Sequence, residues 1–151
     1  MKHFSIFLLA LPMLIGALPA QCVLDPIQSR LIEGYLLFGF EGKYRTVDKA
    51  EVLILDQYNT HRIVARATVD KKGYFYIKGI KAGNYHLSGR SEPLSEAYVD
   101  IRIVSKKEVM KSAKESMILI VLGADGRHEC GGSSITIESR SIIDGILHNL
   151  Q

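Results

Sequence analysis

Residues 67–87 read ATVDKKGYFYIKGIKAGNYHL and predict two chain reversals on either side of a short strand. A strand that begins near Arg62 ends before the first reversal. There, Asp70 can accept a hydrogen bond from the backbone two residues on, and Gly73 can take a positive φ without a Cβ clash. The second reversal falls at residues 81–84, where Gly and Asn are typical turn residues.

The strand between the two reversals has an alternating pattern. Phe75 and Ile77 point to one face, and Tyr74 and Tyr76 point to the other. Tyr85 resumes the inward alternation after the second reversal. Each of these residues has a structural role, so the stretch is interpreted as a hairpin of a small β-domain rather than an active-site loop.

The same period of two recurs along the chain and indicates strands with one buried face and one solvated face. Residues 116–123, SMILIVLG, are apolar on both faces, which favours a central or doubly covered strand. Short turn segments separate the runs. The sequence therefore predicts an all-β fold, an antiparallel β-sandwich of about seven strands. The alternating apolar positions are Ala50, Val52, Ile54, Ala97, Val99, Ile101, Ile103, Ile135 and Ile137.

The last ten residues before Gln151 have a different, helical spacing of apolar side chains. Gly145 weakens this segment, so the pattern predicts a short C-terminal helix. Its apolar stripe is expected to pack on the domain itself. The stripe comprises Ile142, Ile143, Ile146, Leu147 and Leu150.

Residues 1–20, MKHFSIFLLALPMLIGALPA, have a basic start, an apolar run and a small residue at the end. This layout predicts a secretory signal peptide and a secreted or periplasmic product. An uncleaved N-terminal anchor and a lipoprotein at Cys22 are the alternatives. After signal removal no stretch is apolar enough for a membrane span. The formal net charge of +3 is too small to favour nucleic acid as a partner.

The chain has two cysteines, Cys22 and Cys130. An oxidising compartment favours a disulfide between them, which would stabilise the fold by roughly 2–5 kcal/mol. Alternatively, Cys130 could be a nucleophile with His128 as its base, in a small cysteine-dependent hydrolase. A zinc site at His128, Glu129 and Cys130 is a third reading, but no second ligand cluster accompanies it. No metal or cofactor is predicted.

The opening stretch also resembles the signature of the carboxypeptidase regulatory-like domain, in the transthyretin-like (prealbumin-like) β-sandwich group. The resemblance covers residues 30–122. It leaves residues 21–29 as an N-terminal segment and 123–151 as an extension with an edge strand and the short helix. It implies the fold and says little about function, because members act as accessory, linker or binding modules. The matching residues are Thr68, Asp70, Gly73, Phe75, Ile80, Gly83, Tyr85 and Leu87.

Enzymes of related architecture have motifs that this sequence does not show. The hydroxyisourate hydrolases end in Tyr-Arg-Gly-Ser, whereas this sequence ends in ILHNLQ. The His-x-x-Glu zinc pair of carboxypeptidases is also not found. The acidic side chains have no evident partner for paired acid–base catalysis.

These observations predict that the protein is not an enzyme but a secreted, non-catalytic β-sandwich module. The expected partner is a protein or carbohydrate of the cell envelope, or the module has a structural role. Tyr74, Tyr76 and Tyr98 form the candidate binding surface, because exposed tyrosines can stack on sugars or anchor an interface. Self-association through an exposed edge strand is a further possibility.

Overall fold

A computed structural model of the chain describes residues 26–92, 96–105, 116–123 and 133–150. The predicted signal peptide, Cys22, His128 and Cys130 lie outside these residues, so their roles remain predictions. Among the described residues, no helix combines the length and apolarity needed to span a membrane. The elements are β1 (Ile27–Ser29), β2 (Ile32–Phe40), β3 (Lys43–Thr46), β4 (Ala50–Asp56), β5 (Ile63–Thr68), β6 (Tyr74–Ile77), β7 (Gly83–Ser91), β8 (Ala97–Ile103), β9 (Ser116–Gly123), β10 (Ser134–Ser139) and α1 (Arg140–His148).

The strands form two sheets, which confirms the predicted β-sandwich. Sheet A has the order β1-β8-β7-β4-β5, and sheet B has the order β10-β9-β2-β3, with β6 also paired to β2. Two pairs, β1 with β8 and β2 with β9, are parallel, and the other pairs are antiparallel. The described strands therefore number ten rather than about seven, and the sheets are mixed. The extra strands β1 and β3 span three and four residues, too few to show a period in the sequence.

The main core fills the space between the two sheets, and the predicted alternation places its side chains. Val52 and Ile54 of β4, Leu87 of β7 and Ile101 of β8 face sheet B. Phe75 of β6 faces them from the opposite sheet and is 1% exposed. The fold thus depends on one apolar layer between two sheets, as the period of two predicts.

The first reversal of the opening stretch forms as predicted. The Asp70 carboxylate oxygen Oδ1 accepts hydrogen bonds from the backbone N–H groups of Lys72 and Tyr74, both at 2.8 Å. Gly73 has a φ of +83° and donates its N–H to the Asp70 carbonyl at 2.9 Å. A Cβ on Gly73 would also lie 2.9 Å from the Leu36 carbonyl oxygen. The positive φ and this close approach both favour glycine at position 73.

Helix α1 covers the outer face of sheet B and makes a second apolar cluster there. Ile143 is the buried residue of the helix, and it contacts a cluster that contains Leu37, Met117 and Leu119. Strand β9 is therefore covered on both faces, as its sequence predicts. Ile142, which the sequence placed in the helical stripe, is instead 51% exposed, because the buried stripe runs through Ile143.

Candidate functional site

The three tyrosines predicted to form a binding surface lie on different faces of the sandwich. Tyr74 and Tyr76 are on the outer face of sheet B, and Tyr98 is on the outer face of sheet A. Tyr74 packs edge-to-face against Tyr35 with ring centroids 5.5 Å apart, in the cluster beneath α1. The Lys78 ammonium lies 5.3 Å from the centroid of the Tyr76 ring. No single surface therefore contains all three predicted residues.

The fold-signature residues occupy structural positions. Asp70 and Gly73 shape the first reversal, and Phe75 is in the main core. Gly83 is the first residue of β7, and Tyr85 packs, partly buried, against the same core. These residues build the hairpin and place the strands that carry the polar side chains described next.

Five polar side chains gather on the outer face of sheet A, and we call this group the sheet A cluster. Cross-strand register sets it, because His86 of β7 is opposite Asp100 of β8, and Ser88 is opposite Tyr98. Two leucines of β4, Leu53 and Leu55, lie beside Ser88 and His86 in the register and are 2% and 7% exposed. The cluster consists of His86, Ser88, Glu96, Tyr98 and Asp100.

The His86 ring of the sheet A cluster is contacted by three neighbouring residues. Its Nδ1 atom lies 2.6 Å from Oδ1 of Asp100, and its Nε2 atom lies 3.2 Å from the backbone carbonyl oxygen of Gln57. The ring stacks on Tyr98 with centroids 5.0 Å apart and planes 26° from parallel. The His86 side chain is 15% exposed and that of Asp100 is 60% exposed. The imidazole is therefore held on both edges and on one face.

The two neighbours of the His86 ring are both hydrogen-bond acceptors. A neutral imidazole has one N–H donor, whereas an imidazolium has two. The imidazolium therefore satisfies Asp100 and Gln57 together. The neutral ring can satisfy only one of them, and an ionised Asp100 competes better for that proton than a neutral carbonyl does.

The Gln57 carbonyl belongs to the turn between β4 and β5. Oδ1 of Asp56 accepts hydrogen bonds from the N–H groups of Tyr58 and Asn59 at 2.9 and 3.1 Å. Arg62 closes the turn with its guanidinium 3.7 Å from Oδ2 of Asp56. Most of the turn is exposed. Two backbone hydrogen bonds also close it, from the Asp56 N–H to the Arg62 carbonyl at 3.0 Å and from the Arg62 N–H to the Asn59 carbonyl at 2.8 Å.

Ser88 and Tyr98 complete the sheet A cluster in different ways. The Ser88 hydroxyl is fully buried and donates to Oε1 of Glu96, so it is not placed to act as a nucleophile. Burial raises the pKa of the Tyr98 phenol, and the nearby carboxylates of Asp100 and Glu96 raise it further. Tyr98 is therefore held as a neutral phenol, which can donate a hydrogen bond.

A charged cavity of about 400 Å³ adjoins the cluster at Glu96. Arg90 closes one side of it by donating from Nε and Nη2 to Oε1 of Glu51, at 2.7 and 2.5 Å. Lys49 and Glu92 also line this cavity. Within the described ranges, no three His, Cys, Asp or Glu side chains are placed to hold a metal ion.

The contact between His86 and Asp100 was not predicted from the sequence, in which the acidic side chains have no evident partner for acid–base catalysis. The two residues are fourteen positions apart and meet only through the register of β7 with β8. The one signal in the sequence was their outward position on two neighbouring alternating strands. That signal gives the face of each residue but not the register that pairs them.

Comparison with known proteins finds no matching family profile and no matching curated protein. The carboxypeptidase regulatory-like resemblance is therefore not confirmed. Among solved structures, a 5-hydroxyisourate hydrolase from Klebsiella pneumoniae is similar, with 14% identity over 72% of this chain and 99% of that chain, and a TM-score of 0.46.

This comparison corrects the functional prediction. The sequence predicted a non-catalytic module that is not an enzyme, and the comparison contradicts both points because the similar solved structure is an enzyme. At this identity and TM-score, the activity of that enzyme is not transferred to this chain. Any chemistry assigned to this protein has to come from its own side chains.

Proposed function

We propose that the outer face of sheet A is a general acid–base site that acts on a small polar substrate. The observation that supports this proposal is the 2.6 Å contact between Nδ1 of His86 and Oδ1 of Asp100. A carboxylate on one ring nitrogen fixes the orientation of the imidazole and holds a proton on that nitrogen. The second nitrogen is then the atom that exchanges a proton with substrate or water.

The proposed site requires the Gln57 carbonyl to move away from His86. Asp100 then keeps the proton on Nδ1, and the lone pair of Nε2 becomes available to a water molecule. His86 takes a proton from that water, and the resulting hydroxide adds to the carbonyl carbon of an ester substrate. The bond from this carbon to the alcohol oxygen then breaks, and His86 returns the proton to the departing oxygen. Tyr98, a neutral phenol stacked on the ring, would donate a hydrogen bond to the substrate in this proposal.

The hydrolysis of p-nitrophenyl acetate tests this proposal with a generic activated ester. We expect His86→Asn to abolish the protein-dependent rate and Asp100→Asn to lower it about 10²-fold, the lower end of what general acid–base catalysis contributes. His61→Asn is the matched control, because His61 is exposed on the β4–β5 turn and only its backbone N–H is hydrogen-bonded, to Asn59. The initial rate of nitrophenolate release is the measurement.

Two outcomes of this experiment would contradict the acid–base site. One is a rate that falls equally in His61→Asn and His86→Asn, which would reflect unspecific surface imidazole. The other is an Asp100→Asn variant, folded by circular dichroism, with the wild-type rate. The latter would mean that the contact between Asp100 and His86 is only structural.

We also propose that the chain is exported and that its partners, including other copies of itself, are in the cell envelope or outside the cell. The composition of residues 1–20 supports this proposal. Mass spectrometry of the protein from an expressing cell is expected to show a chain that has lost about the first twenty residues. The same chain is expected to resist alkylation until it is reduced, as a bond between Cys22 and Cys130 requires. A full-length, freely alkylated chain would contradict both points.

Kinship with the carboxypeptidase regulatory-like domain is a further proposal. It is supported by the roles of the matching residues: Asp70 and Gly73 form the reversal, and Phe75 and Leu87 are buried in the main core. Homologues that align well elsewhere but lack Gly73 and Gly83 would contradict this kinship.

A further inference from the structure

A cavity of about 480 Å³ opens at one end of the sandwich. Three parts of the chain meet there: the link between β1 and β2, the end of β6 with the segment that follows it, and the end of β8. This volume is in the range of sites that bind small organic molecules. The residues that matter for its chemistry are Arg30, Tyr76, Ile77, Lys78, Ile80 and Ile103.

The charged side chains in the lining of this cavity are all cationic. Arg30 is half-buried and forms no ion pair with the described residues. Lys78 is exposed, with its ammonium beside the Tyr76 ring. No Asp or Glu is among the described residues that line the cavity. The nearest acid in the register is Glu33, opposite Tyr76, and it lies 3.5 Å from the hydroxyl of Tyr74.

The cavity also has apolar walls. Ile77 and Ile103 are buried at 7% and 3% exposure, and Ile80 packs against the main core beside them. A guanidinium next to such walls can pair with a carboxylate through two parallel charge-assisted hydrogen bonds. The lining therefore suits a molecule with one anionic group and an apolar body.

The backbone around Arg30 is held in place by the fold. Strand β1 pairs in parallel with β8, and the Val104 N–H donates to the Ser29 carbonyl at 3.0 Å. The Ser29 hydroxyl donates to the Leu31 carbonyl at 2.6 Å. These bonds bracket Arg30 on both sides, so the position of its backbone does not depend on a ligand.

We propose that this cavity binds a small organic anion, a carboxylate on an apolar body, with Arg30 and Lys78 pairing the charge. Either a free acid or the headgroup of an anionic lipid could supply this chemistry, and the buried apolar walls at Ile77 and Ile103 favour a free acid. The proposal does not depend on the acid–base activity proposed for His86. Failure of one leaves the other standing.

Titration with octanoate tests the cavity, and octan-1-ol is the uncharged comparison. We expect octanoate to bind one site with a submillimolar Kd by calorimetry, and octan-1-ol to bind at least about tenfold more weakly, the effect of one charge-assisted contact. Amide shifts in two-dimensional NMR should then fall at residues 30–32, 77–82 and 103–105.

Three variants make the result specific. Arg30→Gln should weaken octanoate binding about tenfold or more. Ala82→Trp, at an exposed lining residue, should block the cavity while it leaves both cations in place. Arg66→Gln, on β5 and outside the lining, is the matched control and should bind as the wild type does.

Three results would overturn the proposal. Equal affinity for octanoate and octan-1-ol would mean that the cations do not select the ligand. Unchanged binding by Arg30→Gln and by Ala82→Trp would place the ligand elsewhere. Co-sedimentation with phosphatidylglycerol vesicles, without binding of octanoate, would mean that a membrane surface rather than a free acid is recognised.

Discussion

Gly34→Ala should leave the chain unable to fold stably. An added Cβ would lie 1.8 Å from the Ile118 carbonyl oxygen and 2.6 Å from its carbonyl carbon. Both are backbone atoms of the neighbouring strand β9, so no side-chain rotation can relieve the clash. Strand β2 also pairs with β3 and β6, and its separation from β9 would open the middle of sheet B. We expect the free energy of unfolding to fall by more than about 4 kcal/mol.

Gly145→Ala is the matched control for this substitution. Gly145 lies inside α1, and a Cβ there would meet no atom within 4 Å. Alanine in a helix interior is more favourable than glycine by about 0.5–1 kcal/mol, so this variant should be slightly more stable than the wild type. Urea unfolding followed by circular dichroism measures both. A Gly34→Ala variant within about 1 kcal/mol of the wild type would mean that β2 and β9 do not approach each other so closely.

The parts of the fold that the sequence predicts are those that neighbours in the chain determine. The reversal at Asp70 is formed by hydrogen bonds within residues 70–74, and the residue types Asp70 and Gly73 are enough to predict it. The doubly covered β9 is predicted because both of its faces are apolar. The need for glycine at position 34, in contrast, becomes apparent only once β9 is beside it.

The parts that the sequence does not predict depend on register and on distant pairing. The parallel pair of β2 and β9 joins segments more than seventy residues apart, and local periodicity contains no information about it. The meeting of His86 with Asp100 has the same origin. The prediction of function relied on motifs, and a motif search does not detect side chains that only cross-strand register brings together.

The same limitation applies to the cavity beside Arg30. Its lining comes from three separate segments, 30–32, 76–82 and 103–105. None of these segments contains a recognisable ligand-binding motif, and nothing in the sequence distinguishes Arg30 and Lys78 from other surface cations. Only the fold places them on the same side of an apolar pocket, which is why both candidate sites in this protein emerge from topology rather than from motifs.

Ile143→Ala should loosen α1 from the outer face of sheet B. Ile143 is 1% exposed and is the buried helix residue in the cluster of Leu37, Met117 and Leu119, against which Ile146 and Leu147 also pack. The substitution leaves a cavity between the helix and the sheet, and replacements of this kind cost about 2–5 kcal/mol. We expect the free energy of unfolding in urea to fall by an amount in that range. Hydrogen exchange in α1 should become faster than in the wild type, whereas exchange in β4 and β7 should not change, because those strands are on the other sheet.

Ile142→Ala separates this packing effect from helix propensity, since it makes the same change one residue earlier on the exposed side. Its free energy of unfolding should stay within about 0.5 kcal/mol of the wild type. Equal losses in both variants would show that α1 contributes through its own helical stability and not by covering sheet B. A loss confined to Ile143→Ala means that the helix is part of the core, because an uncovered β9 would expose Met117 and Leu119 to water.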